Sequence, residues 1–201
     1  MGQLAASLHR LGDASDLLPL VTAIAQSAGI DPALVMAVID AESNFNPTAT
    51  HRDADGGSSY GLMQLRLETA SLLAGYAVQG PDLFVPEFNI RLGVRYLADQ
   101  LARYGGNVTD AVAAYNAGTA RRNAAGIYVN SRGVPNVQAY VDRVMAAYPR
   151  YQAMMMERPT SEFPEEEAIP NGDGMGRAAP WLGLAALGVF TIVAVIVVLD
   201  A

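Results

Sequence analysis

A mainly α-helical domain followed by a single membrane-spanning helix is the fold class that these 201 residues predict. Three observations carry it. Apolar residues recur at helical spacing along several segments, no segment alternates cleanly with period two, and Trp181–Leu199 runs 19 residues without a charge.

The elements follow in order. Residues 1–16 form an N-terminal segment ahead of the domain. Arg10 and the apolar run Leu17–Ala25 loosely imitate a signal peptide, but Asp13 and Asp16 interrupt the cationic region that such a peptide requires. The run reads as the first helix of the domain, and no export signal is expected. Asp31 is a good N-cap, and Pro32 at the first helical position opens the helix Ala33–Ser43. Glu87–Tyr104 places Ile90, Val94, Leu97 and Leu101 on one stripe, with Arg95–Asp99 and Asp99–Arg103 as expected i,i+4 pairs. Val108–Ala117 ends at Gly118, a natural helix stop. Asn136–Tyr148 repeats the pattern through Val137, Val141, Val144 and Met145 and is expected to stop at Pro149. The domain spans residues 17–158.

Beyond it, residues 159–180 hold four prolines, three glycines and the Glu165–Glu167 run, the composition of a solvated tether. Residues 181–199 are long enough to span a bilayer. At 1.5 Å per residue, 19 helical residues reach about 28 Å against a hydrocarbon core of ~30 Å. Trp181 and Arg177 stand where interfacial residues belong.

Composition removes several classes of function. Apolar residues make up 51% and charged ones 16%, which excludes wholesale disorder. Without cysteine there is no disulfide framework, thiol catalysis or cysteine-based zinc site. A net charge of −7, with all 13 basic residues arginine, speaks against a nucleic-acid partner. Residues 1–158 carry 14 acids and 12 bases, so much of the acidity sits in the tether.

One carboxylate stands out. Leu34, Val35, Val38 and Ile39 form the apolar stripe of the helix Ala33–Ser43, and continuing by four from Val38 lands on Glu42. A carboxylate at the end of a buried stripe is costly unless it is paired, protonated or used, and desolvation raises it toward the range of a general acid. Asp40 lies about 200° away around the helix, so the two cannot form a dyad. The alternative is an ion pair of Glu42 with Arg91 or Arg95.

Four blocks stand in order: Glu42-Ser43-Asn44-Phe45-Asn46-Pro47, Gly61-Leu62-Met63-Gln64, Ala114-Tyr115-Asn116-Ala117-Gly118 and Tyr140-Val141. Between them lie Asp31-Pro32-Ala33-Leu34, Thr69-Ala70, Leu83-Phe84, Pro86-Glu87, Asn89-Ile90, Gly93 and Tyr96-Leu97. Over roughly residues 17–148 this set resembles the lysozyme-like lytic transglycosylase family. The resemblance implies a lysozyme-like helical fold and cleavage of the β-1,4 bond between N-acetylmuramic acid and N-acetylglucosamine. Glu42 falls on the family's single catalytic glutamate. It would protonate the leaving oxygen and then deprotonate the 6-hydroxyl whose attack closes a 1,6-anhydro ring. Gln64 falls where the family binds substrate, Met63 would line the cleft, and Tyr115 falls where a tyrosine hydroxyl orients the glutamate. Asn116 and Tyr140 would be sugar contacts or cleft walls, with core packing as the alternative for Met63 and Tyr140. The family's active-site serine aligns with Ser58 or Ser59. No metal or organic cofactor is implied.

Two departures stand out. The loop Thr48–Tyr60 is a little longer than usual, and Arg66-Leu67 replaces the family's more frequent Met and Pro. Asp53 or Asp55 could activate water, which would make the enzyme a hydrolase. Gly57-Ser58-Ser59-Tyr60-Gly61 fits the short nucleophile-elbow pattern, yet His9 and His51 both precede the serine. A murein-binding protein without catalysis is the contrasting class, and Glu42, Gln64 and Tyr115 together argue against it. The expected partners are peptidoglycan glycan strands, a membrane through the C-terminal helix, and other virion proteins. A hydrophobic segment placed last, without an export signal, suggests a single-pass membrane protein of a phage virion delivered into the bacterial envelope, with a bacterial inner-membrane or secretion setting as the alternative.

Overall fold

Helices α1 (Ala14–Ser27) and α2 (Pro32–Ser43) open the fold in the computed structural model, which describes residues 14–52 and 56–157. Asp31 caps α2 as its sequence requires. Its Oδ1 accepts the Ala33 N–H at 2.9 Å, and Pro32 fills the first turn. Seven consecutive residues, Ala33–Ile39, are buried, so over this stretch α2 has no solvent face. It is the rod around which α1 and α6 (Asn136–Met156) pack.

A three-stranded antiparallel sheet follows: β1 (Thr50–Arg52), β2 (Ser58–Tyr60) and β3 (Leu65–Arg66), in that order. Thr50 stands opposite Tyr60, and Tyr60 opposite Leu65. Strands of two or three residues are too short to show a period of two, so no alternation announces this sheet. Then come α3 (Leu67–Ala74), a 3-10 turn (Gly80–Phe84), α4 (Pro86–Arg103) and α5 (Val108–Ala117).

Helix α4 joins two apolar clusters. Ile90, Val94 and Leu97 enter the main core with α1, α2, α5 and α6, while Leu92 faces a smaller cluster of Leu65, Ala70, Val78 and Leu83 under the sheet. Both sides of α4 are therefore fixed, and with it the junction between sheet and helices.

Two expectations are corrected. Helix α6 does not stop at Pro149 but continues to Met156. A proline inside a helix loses one hydrogen bond and crowds the preceding turn, at a cost of about 3 kcal/mol. Contacts on either side offset it: the Tyr148 hydroxyl donates to Asp31 at 2.5 Å, Arg150 pairs with Asp40 at 2.6 Å, and Tyr151 is buried edge-on against Phe45. Nor do Arg95, Asp99 and Arg103 pair along α4. Arg95 donates to the Leu73 carbonyl near the end of α3, and Arg103 to the Gly118 carbonyl at the end of α5. Each cation meets the negative end of a neighbouring helix instead. The i,i+4 pair that does form is Glu87–Arg91.

Among the described residues no helix is long and apolar enough to cross a membrane. The expected transmembrane helix 181–199, the tether 159–180, most of the N-terminal segment, and Asp53 and Asp55 lie outside the described residues.

Gly93 lets α4 pack directly against the buried Met63. A Cβ there would stand 2.3 Å from Met63 Sδ and 2.8 Å from Met63 Cβ. Gly93→Ala should therefore destabilise the fold by about 1–3 kcal/mol through overpacking, although alanine is the better helix former by about 1 kcal/mol. Chemical unfolding measures the sign, and a more stable variant would show that Met63 repacks freely.

Candidate active site

Glu42 sits half-buried in the last turn of α2. Two successive residues beyond the helix are left-handed: Asn44 at φ 49° and Phe45 at φ 62°. Such a conformation costs a non-glycine residue about 1 kcal/mol or more. It persists because both residues are held. The Asn44 N–H donates to the Asp40 carbonyl at 3.0 Å, and the Phe45 ring is buried with its centroid 6.0 Å from that of Tyr151. The sharp turn ends the helix at Ser43, one residue after Glu42, and leaves Glu42 at the margin of the core.

The hydroxyl that reaches Glu42 is that of Tyr140, donating to Oε1 at 2.7 Å. Tyr115, the tyrosine expected beside the glutamate, gives its hydroxyl proton to the Met63 carbonyl at 2.9 Å. Both phenols are buried, and each is pushed well above the ordinary tyrosine range, first by burial and then by the charge of Glu42. They remain neutral donors at any physiological pH. Tyr96 packs against the Tyr115 ring at 5.1 Å, completing an aromatic wall. Arg91 and Arg95, the alternative ion-pair partners for Glu42, donate to Glu87 and to the Leu73 carbonyl.

The loop Gly61–Gln64 approaches from the sheet side. Met63 is fully buried, so its side chain is core rather than an exposed lining. Its peptide groups are held at both ends: the N–H donates to Asn89 Oδ1 at 2.8 Å, and the C=O receives Tyr115. Gln64, at φ 46°, donates its side-chain amide to the Ala49 and Gly61 carbonyls at 3.1 and 2.8 Å. Both amide protons are thus used, and the oxygen is the end left to meet a donor. Ser58 and Ser59 occupy β2, whose alternation sends them to opposite faces, Ser59 buried and Ser58 half-exposed. Asn116 is exposed, one residue beyond Tyr115 on α5. Among the described residues no three His, Asp or Glu side chains gather as a metal-ligand set.

Sequence reasoning named Asn89 without giving it a role. It is fully buried on α4, and its Nδ2 donates to the Tyr60 and Leu83 carbonyls, both at 2.9 Å, while Oδ1 takes the Met63 N–H. One side chain thus fastens the sheet, the 3-10 turn and the Gly61–Gln64 loop together. Gly61 must be glycine for the same reason, since its φ is 76° and a Cβ would lie 2.3 Å from Asn89 Nδ2. The signal available in the sequence was an amide next to Ile90 on the apolar side of an amphipathic helix.

Known proteins carry the same arrangement of segments. The family model of the Transglycosylase SLT domain matches residues 19–136. The soluble lytic murein transglycosylase of Escherichia coli K12 is 33% identical over 147 residues, which is 65% of this chain and 22% of that protein. Membrane-bound lytic murein transglycosylase C of Actinobacillus pleuropneumoniae is 35% identical over 118 residues, 52% of this chain and 31% of its own. Among solved structures, the 70 kDa soluble lytic transglycosylase of Escherichia coli superposes with a TM-score of 0.57 at 27% identity, covering 68% of this chain and 24% of that one. The chain therefore spans a fifth to a third of the length of these relatives.

Asn89→Asp should separate shape from hydrogen bonding. The carboxylate keeps an acceptor for Met63 but faces two carbonyl oxygens, so the variant should lose about 3 kcal/mol or more at neutral pH. Burial against two carbonyls raises that carboxyl in the folded state, so the deficit should shrink as pH falls through the raised value. Unfolding curves at several pH values check this, and a pH-independent deficit would refute the donor role.

Proposed function

The chain belongs to the Transglycosylase SLT domain family, and from that premise we propose that it is a peptidoglycan lytic transglycosylase whose acid and base are one residue, Glu42. The observation that carries the reading is the bond from the buried Tyr140 hydroxyl to Glu42 Oε1 at 2.7 Å. A neutral donor fixes one carboxyl oxygen, so the group is oriented without being locked into one protonation state.

The proposed substrate is the bond between N-acetylmuramic acid and N-acetylglucosamine. Protonated Glu42 gives its proton to the bridging oxygen as the muramoyl C1–O bond breaks, and the 2-acetamido oxygen bonds to C1. The resulting carboxylate then takes the proton of the 6-hydroxyl. That oxygen attacks C1, displaces the acetamido oxygen and closes the 1,6-anhydro ring. One carboxylate suffices because the substrate supplies the internal nucleophiles. Gln64, Asn116 and one of Ser58 and Ser59 are the proposed sugar contacts. Tyr140 orients Glu42. Tyr115 and the Met63 backbone hold the wall beside it.

For the setting we propose a membrane anchor at residues 181–199 and local wall penetration by a phage virion protein. The support for the anchor is the uncharged 19-residue run carried behind an acidic, proline-rich tether.

Glu42→Gln should abolish glycan cleavage by at least about a thousandfold while leaving the fold and murein binding intact, since an amide neither gives nor takes the proton. Mass spectrometry of wild-type digests should find 1,6-anhydromuramoyl ends. Reducing muramic ends would establish a hydrolase and turn attention to Asp53 and Asp55. The full chain should also stay with membranes through alkaline carbonate extraction, and release into the supernatant would remove the anchor from the proposal.

A further inference from the structure

The segment between α5 and α6 is one turn built twice. Asn123 and Asn130 each accept two backbone N–H groups on Oδ1: Ala125 and Ile127 at 3.0 Å for the first, Arg132 at 2.9 Å and Val134 at 3.0 Å for the second. Each also donates its own N–H to the carbonyl four residues on, at 2.9 Å, and each turn closes through a glycine at positive φ, Gly126 or Gly133. The segment is therefore organised by its own hydrogen bonds before any ligand arrives. Ile127 and Val134, at corresponding positions, remain exposed.

Charge sets this segment apart. Residues 119–135 hold Arg121, Arg122 and Arg132 and no acid, whereas the other described residues hold eleven acids against seven arginines. Arg122 is an anchor, 2.9 Å from the Asp110 carboxylate and stacked over the Tyr128 ring. The other two have no acidic partner among the described residues. Arg121 reaches across to the Ser131 carbonyl at 3.5 Å, the residue next in sequence to Arg132. The segment leaves α5 at Gly118, shortly after Tyr115, and enters α6 at Asn136, one turn before Tyr140. Both of its roots thus lie next to the tyrosines that flank Glu42.

We propose that residues 119–135 are a preorganised cationic arm for the stem peptide of the muramoyl residue, with Arg121 and Arg132 binding its carboxylates and Ile127 and Val134 meeting its apolar side chains. The inference rests on the lytic reading and extends it from the glycan to the peptide. The sugars of the strand offer no reason for unpaired arginines, because murein carries its carboxylates on the stems. The remainder of the described domain is acidic and repels those stems, and an acid-free segment with two arginines that lack an acidic partner reverses the sign there.

The test uses the full chain and two forms of one substrate: intact sacculi, and the same sacculi stripped of stems by an amidase. The wild type should cut and bind the intact form preferentially, and the preference should weaken as salt is raised. In Arg121→Gln/Arg132→Gln the ratio of rates on intact and stripped glycan should fall about tenfold. Arg132→Gln alone, which removes an exposed side chain, should lower it by a smaller factor and guards against misfolding. A ratio within twofold of wild type in both variants overturns the arm. Co-sedimentation of Glu42→Gln protein with the two forms reads the same preference without turnover. If the wild type cuts neither form, the lytic reading fails, while the binding ratio still decides for or against the arm.

Discussion

The burial of α2 on every side is the constraint from which the rest of the site follows. Ala33–Ile39 expose almost nothing, so the helix cannot rotate without driving Asp40 or Glu42 inward. Its azimuth is set by packing alone, and Glu42 emerges where the buried stretch ends. Everything that touches the end of α2 then acts as a clamp. Arg150 holds Asp40, Tyr151 holds Phe45, and Tyr140 holds Glu42, all three from one face of α6. The left-handed pair Asn44-Phe45 is tolerable because those contacts over-determine it. Continuation of α6 through Pro149 has the same origin, since two of the three clamps lie beyond the proline.

Much of this was legible in the sequence, for identifiable reasons. The cap Asp31-Pro32, the stripe that lands on Glu42 and the Gly118 stop are local signals, and the structure follows them. What could not be read was decided over long sequence distances. Tyr115 and Tyr140 are both buried tyrosines within amphipathic helices, and nothing local says which hydroxyl reaches back 98 residues to Glu42. The role of Met63 was hidden likewise, because what matters is its peptide group, held by Asn89 and Tyr115, and not its side chain. Arg95 and Arg103 were misjudged because the i,i+4 rule sees one helix, whereas in the fold the carbonyl ends of α3 and α5 compete for the same cations.

The choice of tyrosine beside Glu42 has a chemical logic under the proposed reaction. A carboxyl that must first give and then take a proton cannot be strongly biased toward either state. A guanidinium at that distance would favour the ionised form and depress the acid step. A histidine would titrate over the working range and make the bias depend on pH. A buried phenol does neither, because its own proton is held well above the ordinary range by burial and by the charge it faces. It donates to the carboxylate when Glu42 is ionised, and its oxygen can accept when Glu42 is protonated. Arg91 and Arg95, on α4, spend their donors on Glu87 and the Leu73 carbonyl. Under that reading, the bond from Tyr140 orients the single carboxylate through both proton transfers.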